Sequence, residues 1–273
     1  MIDDKIMALN DVGPEYLDRG IFFGDGVYEV LRSYEGKIFA LDDHMKRFTK
    51  SLEALEITNV DIKLVKSRVQ KAFENARIPN AKIYFHITRG SGPRDHLAEA
   101  ALKPNFFLTV MELHDDPNLK KKGVAVSTYP DIRWKRCDIK SLNLLANVLA
   151  KADAHKKKCW EAIFVDDNGL ITEGSSSAFF AIANGKLQTA SLTSNILPSI
   201  TRKYIFKAAE KLGLKVLEES LTTLQAQTAA ELFLGVTTKD IVPVVKFDTV
   251  KIGNGKPGRL TTALIEEFKK LTI

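Results

Sequence analysis

The spacing of apolar residues changes period several times along the chain, and each change marks an element. GVYEVLRSY (26–34) alternates with the two-residue period of a half-buried strand, and KIFAL, after a Glu35–Gly36 turn, reads as its hairpin partner. LDDHMKRFTKSLEALEI then shifts to helical spacing. Met45, Phe48, Leu52 and Leu55 fall on one face, and Asp42 or Asp43 is placed to cap the helix. A second helix is expected over Ile62–Ala76, ended by Pro79. KIYFHITRG and NFFLTVMEL are apolar strands, separated by the Gly/Pro-punctuated loop GSGPRDHLAEAALKP.

HDDPNLKKKG interrupts this pattern and reads as a polar linker. The expected division is a smaller N-terminal α+β domain over 1–115, a linker at 116–123, and a larger C-terminal domain over 124–273. In the second part VAVSTY reads as a strand and Ser141–Lys158 as a helix. The run from Glu161 to Ala190 reads as strands joined by turns at Asp167–Asn168–Gly169 and Asn184–Gly185. A helix fits Pro198–Leu212, with proline near its start and Gly213 just past its end. ELFLGV and IVPVV are short strands, and a last helix is expected near Leu260–Leu271. The fold class is mixed α/β.

Composition narrows the class. With 273 residues, 45% hydrophobic and 27% charged, the chain can bury a core without a disulfide or structural metal. Cys137 and Cys159 form no metal-ligand spacing and are expected as reduced thiols of a cytoplasmic protein. MIDDKIMALN, with two early acids and no apolar run, is not expected to be a secretory signal, and no stretch reaches the ~18 apolar residues of a membrane span. The net charge is +6, but the lysines are spread along the chain, often beside glutamates, without interleaved aromatics. That pattern argues against nucleic acid and suits anionic small molecules.

Five places carry possible chemistry. Lys140 stands at the front of an apolar run, where desolvation could make its amine a nucleophile; a lysine snorkelling from a helix end is the plain alternative. ITEGSSSAFF (171–180) sets Glu173 and three serines at a strand end, a setting that suits a heterocycle with a basic nitrogen, or a simple Ser/Gly turn. A helix starting near Pro198–Ser199 would leave the N–H groups of Ile200 and Thr201 free for phosphate. Thr237 and Thr238 could form a second phosphate wall, with ordinary capping as the alternative in both cases. Arg94 and His96, two apart in RGSGPRDH, suit a carboxylate clamp or an exposed solvated loop.

Taken in order along nearly the whole chain, these segments resemble the class IV (fold type IV) pyridoxal-phosphate aminotransferases, and among them the D-amino-acid group. The matching stretches are DRGIFFGDGVYEVLRSYEGKIFALDDHMKR, ITRGSGPRDH, DIRWKRCDIKSLNLLANVLAK, ITEGSSSAFF, ILPSITR and LGVTTKDIVPV. The resemblance implies two domains, the larger built on a β-barrel-like sheet, with pyridoxal 5′-phosphate at their interface. It implies that Lys140 forms a Schiff base with the cofactor and later shuttles the substrate's α-proton, and that Glu173 pairs with the pyridine nitrogen. Arg47, Ile200, Thr201 and Thr237 would hold the phosphate, Arg133 would reach it indirectly, and Leu197 would pack on the ring.

On the substrate side the resemblance implies that Tyr28, Arg94 and His96 trap the α-carboxylate, the last two from the neighbouring subunit of a homodimer. The expected reaction is ping-pong transfer from D-alanine to 2-oxoglutarate. A branched-chain L-aminotransferase or an aminodeoxychorismate lyase of the same fold is the alternative. Val236 departs from the family pattern, which leaves the preferred side chain open, and Pro198–Ser199 depart from it at the expected phosphate-binding turn.

Overall fold

The computed structural model describes residues 1–98 and 102–272. After a short helix α1 (Arg19–Phe23), the chain forms β1 (Gly26–Tyr34) and β2 (Lys37–Ile38), then helices α2 (Leu41–Ala54) and α3 (Ile62–Ala76), then β3 (Ala81–Thr88) and β4 (Asn105–Glu112). These strands make an antiparallel sheet in the order β2-β1-β3-β4. One face buries Val27, Leu31, Ile83 and Phe85 against Phe48 of α2 and Val65 and Val69 of α3. Each such large side chain stabilises the fold by roughly 1.5–3 kcal/mol on leaving water. Beyond its two-residue pairing with β2, the edge of β1 is left open on this sheet.

The remaining elements are α4 (Pro117–Lys122), β5 (Val124–Pro130), α5 (Leu145–Lys156), β6 (Glu161–Val165), β7 (Ile171–Gly174), β8 (Ala178–Ala183) and β9 (Lys186–Thr189). They are followed by α6 (Ile200–Lys211), β10 (Val216–Glu218), α7 (Thr223–Gln227), β11 (Glu231–Val236), β12 (Asp240–Phe247), β13 (Val250–Lys251) and α8 (Arg259–Lys270). Their nine strands form a mixed sheet in the order β10-β9-β8-β11-β12-β5-β6-β7, with β13 added on β12. The Gly174 N–H donates to the Ser177 carbonyl, so β7 turns straight back beside the start of β8. Six strands therefore curl towards a ring around Val126, Ile163, Phe179, Leu234 and Val242. Helices α6 and α8 cover the outside of this sheet, over the stacked Phe180 and Phe233 rings.

Several local expectations shift. Helix α2 is not capped by an aspartate: its N-cap is Ala40, and Asp42 and Asp43 lie in the first turn, where they pair with Lys66 and Lys203. Their negative charge still favours that end of the helix dipole. The polar segment read as a linker holds α4, capped by Asp116 and ended by Gly123 at φ 71°. The helix expected from Ser141 begins only at Leu145, for a reason that bears on the site.

Candidate active site

A cavity of about 610 Å³ opens at the free edge of β1, bounded by the end of β7, the end of β11 and the approach to α6. The segment Ile139–Leu142 runs along that edge. Tyr28 N–H donates to the Lys140 carbonyl at 3.0 Å, Leu142 N–H to the Gly26 carbonyl at 2.9 Å, and Ser141 bridges to Val27. Backbone groups committed to a neighbouring strand cannot also start a helix, which is why α5 begins later than the apolar pattern suggests. Gly26 permits the approach, because a Cβ there would meet the Ile87 carbonyl at 2.7 Å and the Leu142 side chain at 2.8 Å. Ile139 is buried in the first core, and Lys140 N–H donates to Ser51 Oγ at 3.1 Å. Anchored on both sides, Lys140 presents its amine to the cavity, 4.2 Å from the centre of the Tyr28 ring.

Glu173, at the end of β7, is buried and also lines the cavity. Its carboxylate accepts from the Leu197 N–H at 3.1 and 3.2 Å and from Arg133. Burial raises its pKa, and the Arg133 guanidinium only partly opposes that. Such a group gains from a second cationic partner. Arg133 is held in turn by Asp131, through Nε at 2.8 Å and NH2 at 2.7 Å, and by the Asn195 carbonyl. The structure therefore sets Arg133 behind Glu173, and none of its hydrogen bonds reaches Arg47 or the start of α6, the groups expected around a phosphate.

Arg47 lies across the cavity. Its Nε and NH2 each donate to Glu29 at 2.7 Å, and NH1 donates to the Pro198 carbonyl at 3.0 Å. Glu29 is fully buried, also meets His44 Nδ1 at 2.8 Å, and is held well below the usual carboxylate range by Arg47 and His44 despite its burial. A guanidinium has five N–H bonds, so Arg47 keeps donors for a further anion. The Ser199 side chain caps α6 by accepting from the Arg202 N–H. The N–H groups of Ile200 and Thr201 have no protein acceptor among the described residues. Thr201 lies against Gly235 of β11, and Thr237 and Thr238 just after that strand line the cavity. Orphan donors at a helix start, hydroxyls and an arginine are the groups with which proteins hold anions.

The structure thus brings Tyr28, Arg47, Arg133, Lys140, Glu173, Leu197 and Thr237 to one cavity; Ile200 and Thr201 are not among its lining residues, but they follow Ser199, which is. Arg94 and His96 are not among its walls. They are exposed, and both lie against the Phe23 ring, His96 at 5.4 Å and Arg94 at 5.3 Å. The serines also depart from expectation. Ser175, Ser176 and Ser177 all turn their hydroxyls to the buried Glu161, so they brace the turn after Glu173 instead of offering themselves to a ligand. Cys137 lines the cavity too, but burial pushes its thiol up to about 11, so it is not a ready nucleophile.

Sequence reasoning missed Glu29, His44, Asp131 and Glu161. Glu29 left a signal, as a carboxylate between Val27 and Leu31 on the inward face of a strand. His44 and Arg47 share one helical face by their spacing of three. Asp131 and Glu161 show nothing comparable before the chain is folded.

The cavity's donor set fits pyridoxal 5′-phosphate: an amine for its aldehyde, a buried carboxylate for its ring nitrogen, and an anion site for its phosphate. Known proteins agree. The family model described as amino-transferase class IV matches residues 26–247. The chain is 36% identical over 265 residues to the D-alanine aminotransferase of Bacillus licheniformis, covering 96% of this chain and 92% of that protein. It is also 36% identical over 271 residues to the D-alanine aminotransferase of Staphylococcus haemolyticus, covering 98% and 96%. Among solved structures it is similar to the branched-chain amino acid aminotransferase of Escherichia coli, with a TM-score of 0.88 at 23% identity over 98% of this chain and 92% of that one. A putative 4-amino-4-deoxychorismate lyase from Legionella pneumophila has a TM-score of 0.82 at 22% identity, covering 99% and 98%. At those identities the two structures speak for the fold alone.

Proposed function

This chain belongs to the class IV aminotransferases, pyridoxal-phosphate-dependent enzymes, and we propose from that premise that it transfers the amine of D-amino acids to 2-oxo acids. D-Alanine and 2-oxoglutarate would give pyruvate and D-glutamate by a ping-pong route. The observation that carries this reading is the convergence of the Lys140 amine, the Glu173 carboxylate and the Arg47 guanidinium on one cavity, in a chain 36% identical to D-alanine aminotransferases.

When bound, pyridoxal phosphate supplies an aldehyde for amines and a ring that accepts an electron pair. The residues divide the remaining work. Lys140 would anchor the cofactor's aldehyde, and its amine, when free, would take the proton from the substrate's α-carbon and give it back at the carbon across the substrate nitrogen. Tyr28, packed against that amine, orients it and offers a hydroxyl towards the substrate. Glu173 keeps the ring nitrogen protonated, and its support by Leu197 N–H and Arg133 prevents it from turning away. Arg133 acts through Glu173. Arg47, Ile200, Thr201 and Thr237 hold the phosphate, with Glu29 and His44 fixing Arg47 in place. Leu197, which lines the cavity, would pack on the ring.

Arg94 and His96 lie outside their own chain's cavity, and the reading gives them to the neighbouring subunit of a homodimer, where they receive the α-carboxylate. The exposed Phe107 and Met111 on β4, with Leu145, Val148 and Leu149 on α5, offer apolar surface for such a contact. The two sheets are read as separate domains divided within 116–123, and the unpaired thiols suit the reducing cytoplasm. A panel of D- and L-amino acids assayed with 2-oxoglutarate and pyruvate tests the reaction. Amine transfer from L-leucine and none from D-alanine would overturn the stereochemical assignment.

A further inference from the structure

Five cations line the cavity: Arg47, Lys82, Arg133, Lys140 and Lys151. Four have identified tasks. Arg47 is paired with Glu29 and Arg133 with Asp131 and Glu173. Lys151 is bound to Glu161 and the Trp160 carbonyl, and Lys140 is the reacting amine. Lys82 has no hydrogen bond and no ion pair among the described residues. Its place in the sheet makes this costly. In the β1–β3 ladder Lys82 stands directly opposite Arg32, so the two like charges point to the same side of the sheet. Arg32 is neutralised by Asp115 and Asp240, and Lys82 is left half-buried without an acid. An anionic ligand in the cavity would supply the missing charge.

The same sheet face carries Tyr28, Val30 and then the Arg32–Lys82 pair, and Tyr28, Val30 and Lys82 all line the cavity. Lys82 is four residues further along the ladder than Tyr28, or about 13 Å of strand. A flexible lysine arm and a five-carbon diacid bridge that gap together. This step rests on the function proposed above, in which Arg47 and α6 take the phosphate and Tyr28 with the partner's loop takes the α-carboxylate. The anion left over in a 2-oxo or amino diacid is the carboxylate at the far end of its side chain. We propose that Lys82 selects dicarboxylate substrates by receiving that distal carboxylate.

The test compares holoenzyme variants Lys82→Gln and Lys82→Arg with D-alanine or D-glutamate as donor and 2-oxobutyrate as the common acceptor. The ratio of kcat/KM for D-glutamate to that for D-alanine should fall by roughly tenfold to a hundredfold in Lys82→Gln, the range of a charge-assisted hydrogen bond, and recover largely in Lys82→Arg. In parallel, calorimetry on the holoenzyme measures binding of glutarate and butyrate, and only glutarate should weaken in Lys82→Gln. An unchanged ratio, with glutarate and butyrate affected alike, would overturn the assignment. So would a loss confined to pyridoxal phosphate affinity, which would give Lys82 to the phosphate. Should the wild-type protein turn over no D-amino acid, the reaction proposed above falls, and the glutarate comparison decides Lys82 by itself.

Discussion

Replacing Glu173 by Gln separates the charge of this side chain from its shape. Gln keeps a carbonyl oxygen for the Leu197 N–H and fills the same space, but it cannot hold a ring nitrogen protonated. The interaction lost is one charge-assisted hydrogen bond in a buried site, worth about 1.5–3 kcal/mol, so the affinity for pyridoxal phosphate should fall roughly 10- to 150-fold. Equilibrium dialysis of the free protein against the cofactor measures this directly. Stability should not fall with it. Arg133 keeps Asp131 through two nitrogens, so no unpaired charge is left behind. Moreover, burial raises the Glu173 pKa above its ordinary 4.5. An acid whose folded pKa is raised costs stability where it is ionised. That cost is fully present above the folded pKa and disappears as the pH falls below the unfolded one. The cofactor-free Glu173→Gln protein should therefore be at least as stable as wild type at pH 7, with the difference closing as the pH is lowered through the carboxylate range. Unchanged cofactor affinity would refute the role given to Glu173; lower stability at pH 7 would refute the electrostatic reasoning.

The same substitution at Glu29 should act in the opposite direction. Its folded pKa is depressed, so its contribution is present at pH values above the unfolded 4.5 and is lost as the pH falls towards the folded value. Glu29→Gln should cost about 3–5 kcal/mol in urea unfolding at pH 7, because the buried Arg47 charge loses its partner. Lys140→Ala should abolish turnover and leave no cofactor on the protein after borohydride treatment, read by mass spectrometry; cofactor fixed at another lysine would show that the anchor lies elsewhere. Arg94→Ala should raise KM for both substrates by about tenfold or more. Co-expressed with Lys140→Ala, it should form mixed dimers with one intact site and partial activity, and a complete failure to complement would argue against a loop donated across subunits.

Much of this protein is legible along the chain. The single-face spacing of Met45, Phe48 and Leu52 makes α2, and a helix over Ile62–Ala76 follows from the same period, because burying one stripe of a helix needs only local order. Lys140, Glu173 and the Ile200–Thr201 helix start could be named as candidates because each sits at a local transition from polar to apolar. Their convergence could not be read this way. Lys140, Glu173 and Ser199 are far apart in sequence, and only the strand order that sets β7 and β11 around the edge of β1 brings them to one cavity.

What the linear order alone determined, then, is the main helices and strands and the inventory of reactive groups, since both depend on residue type and short-range period. The tertiary structure decided which groups are free. Arg47 is shared with Glu29, the three serines are spent on Glu161, Arg133 stands behind Glu173, and Lys82 has no protein partner among the described residues. Hydrogen bonds and ion pairs act over a few ångströms between chain segments remote in sequence. No pattern along one strand or one helix carries that information.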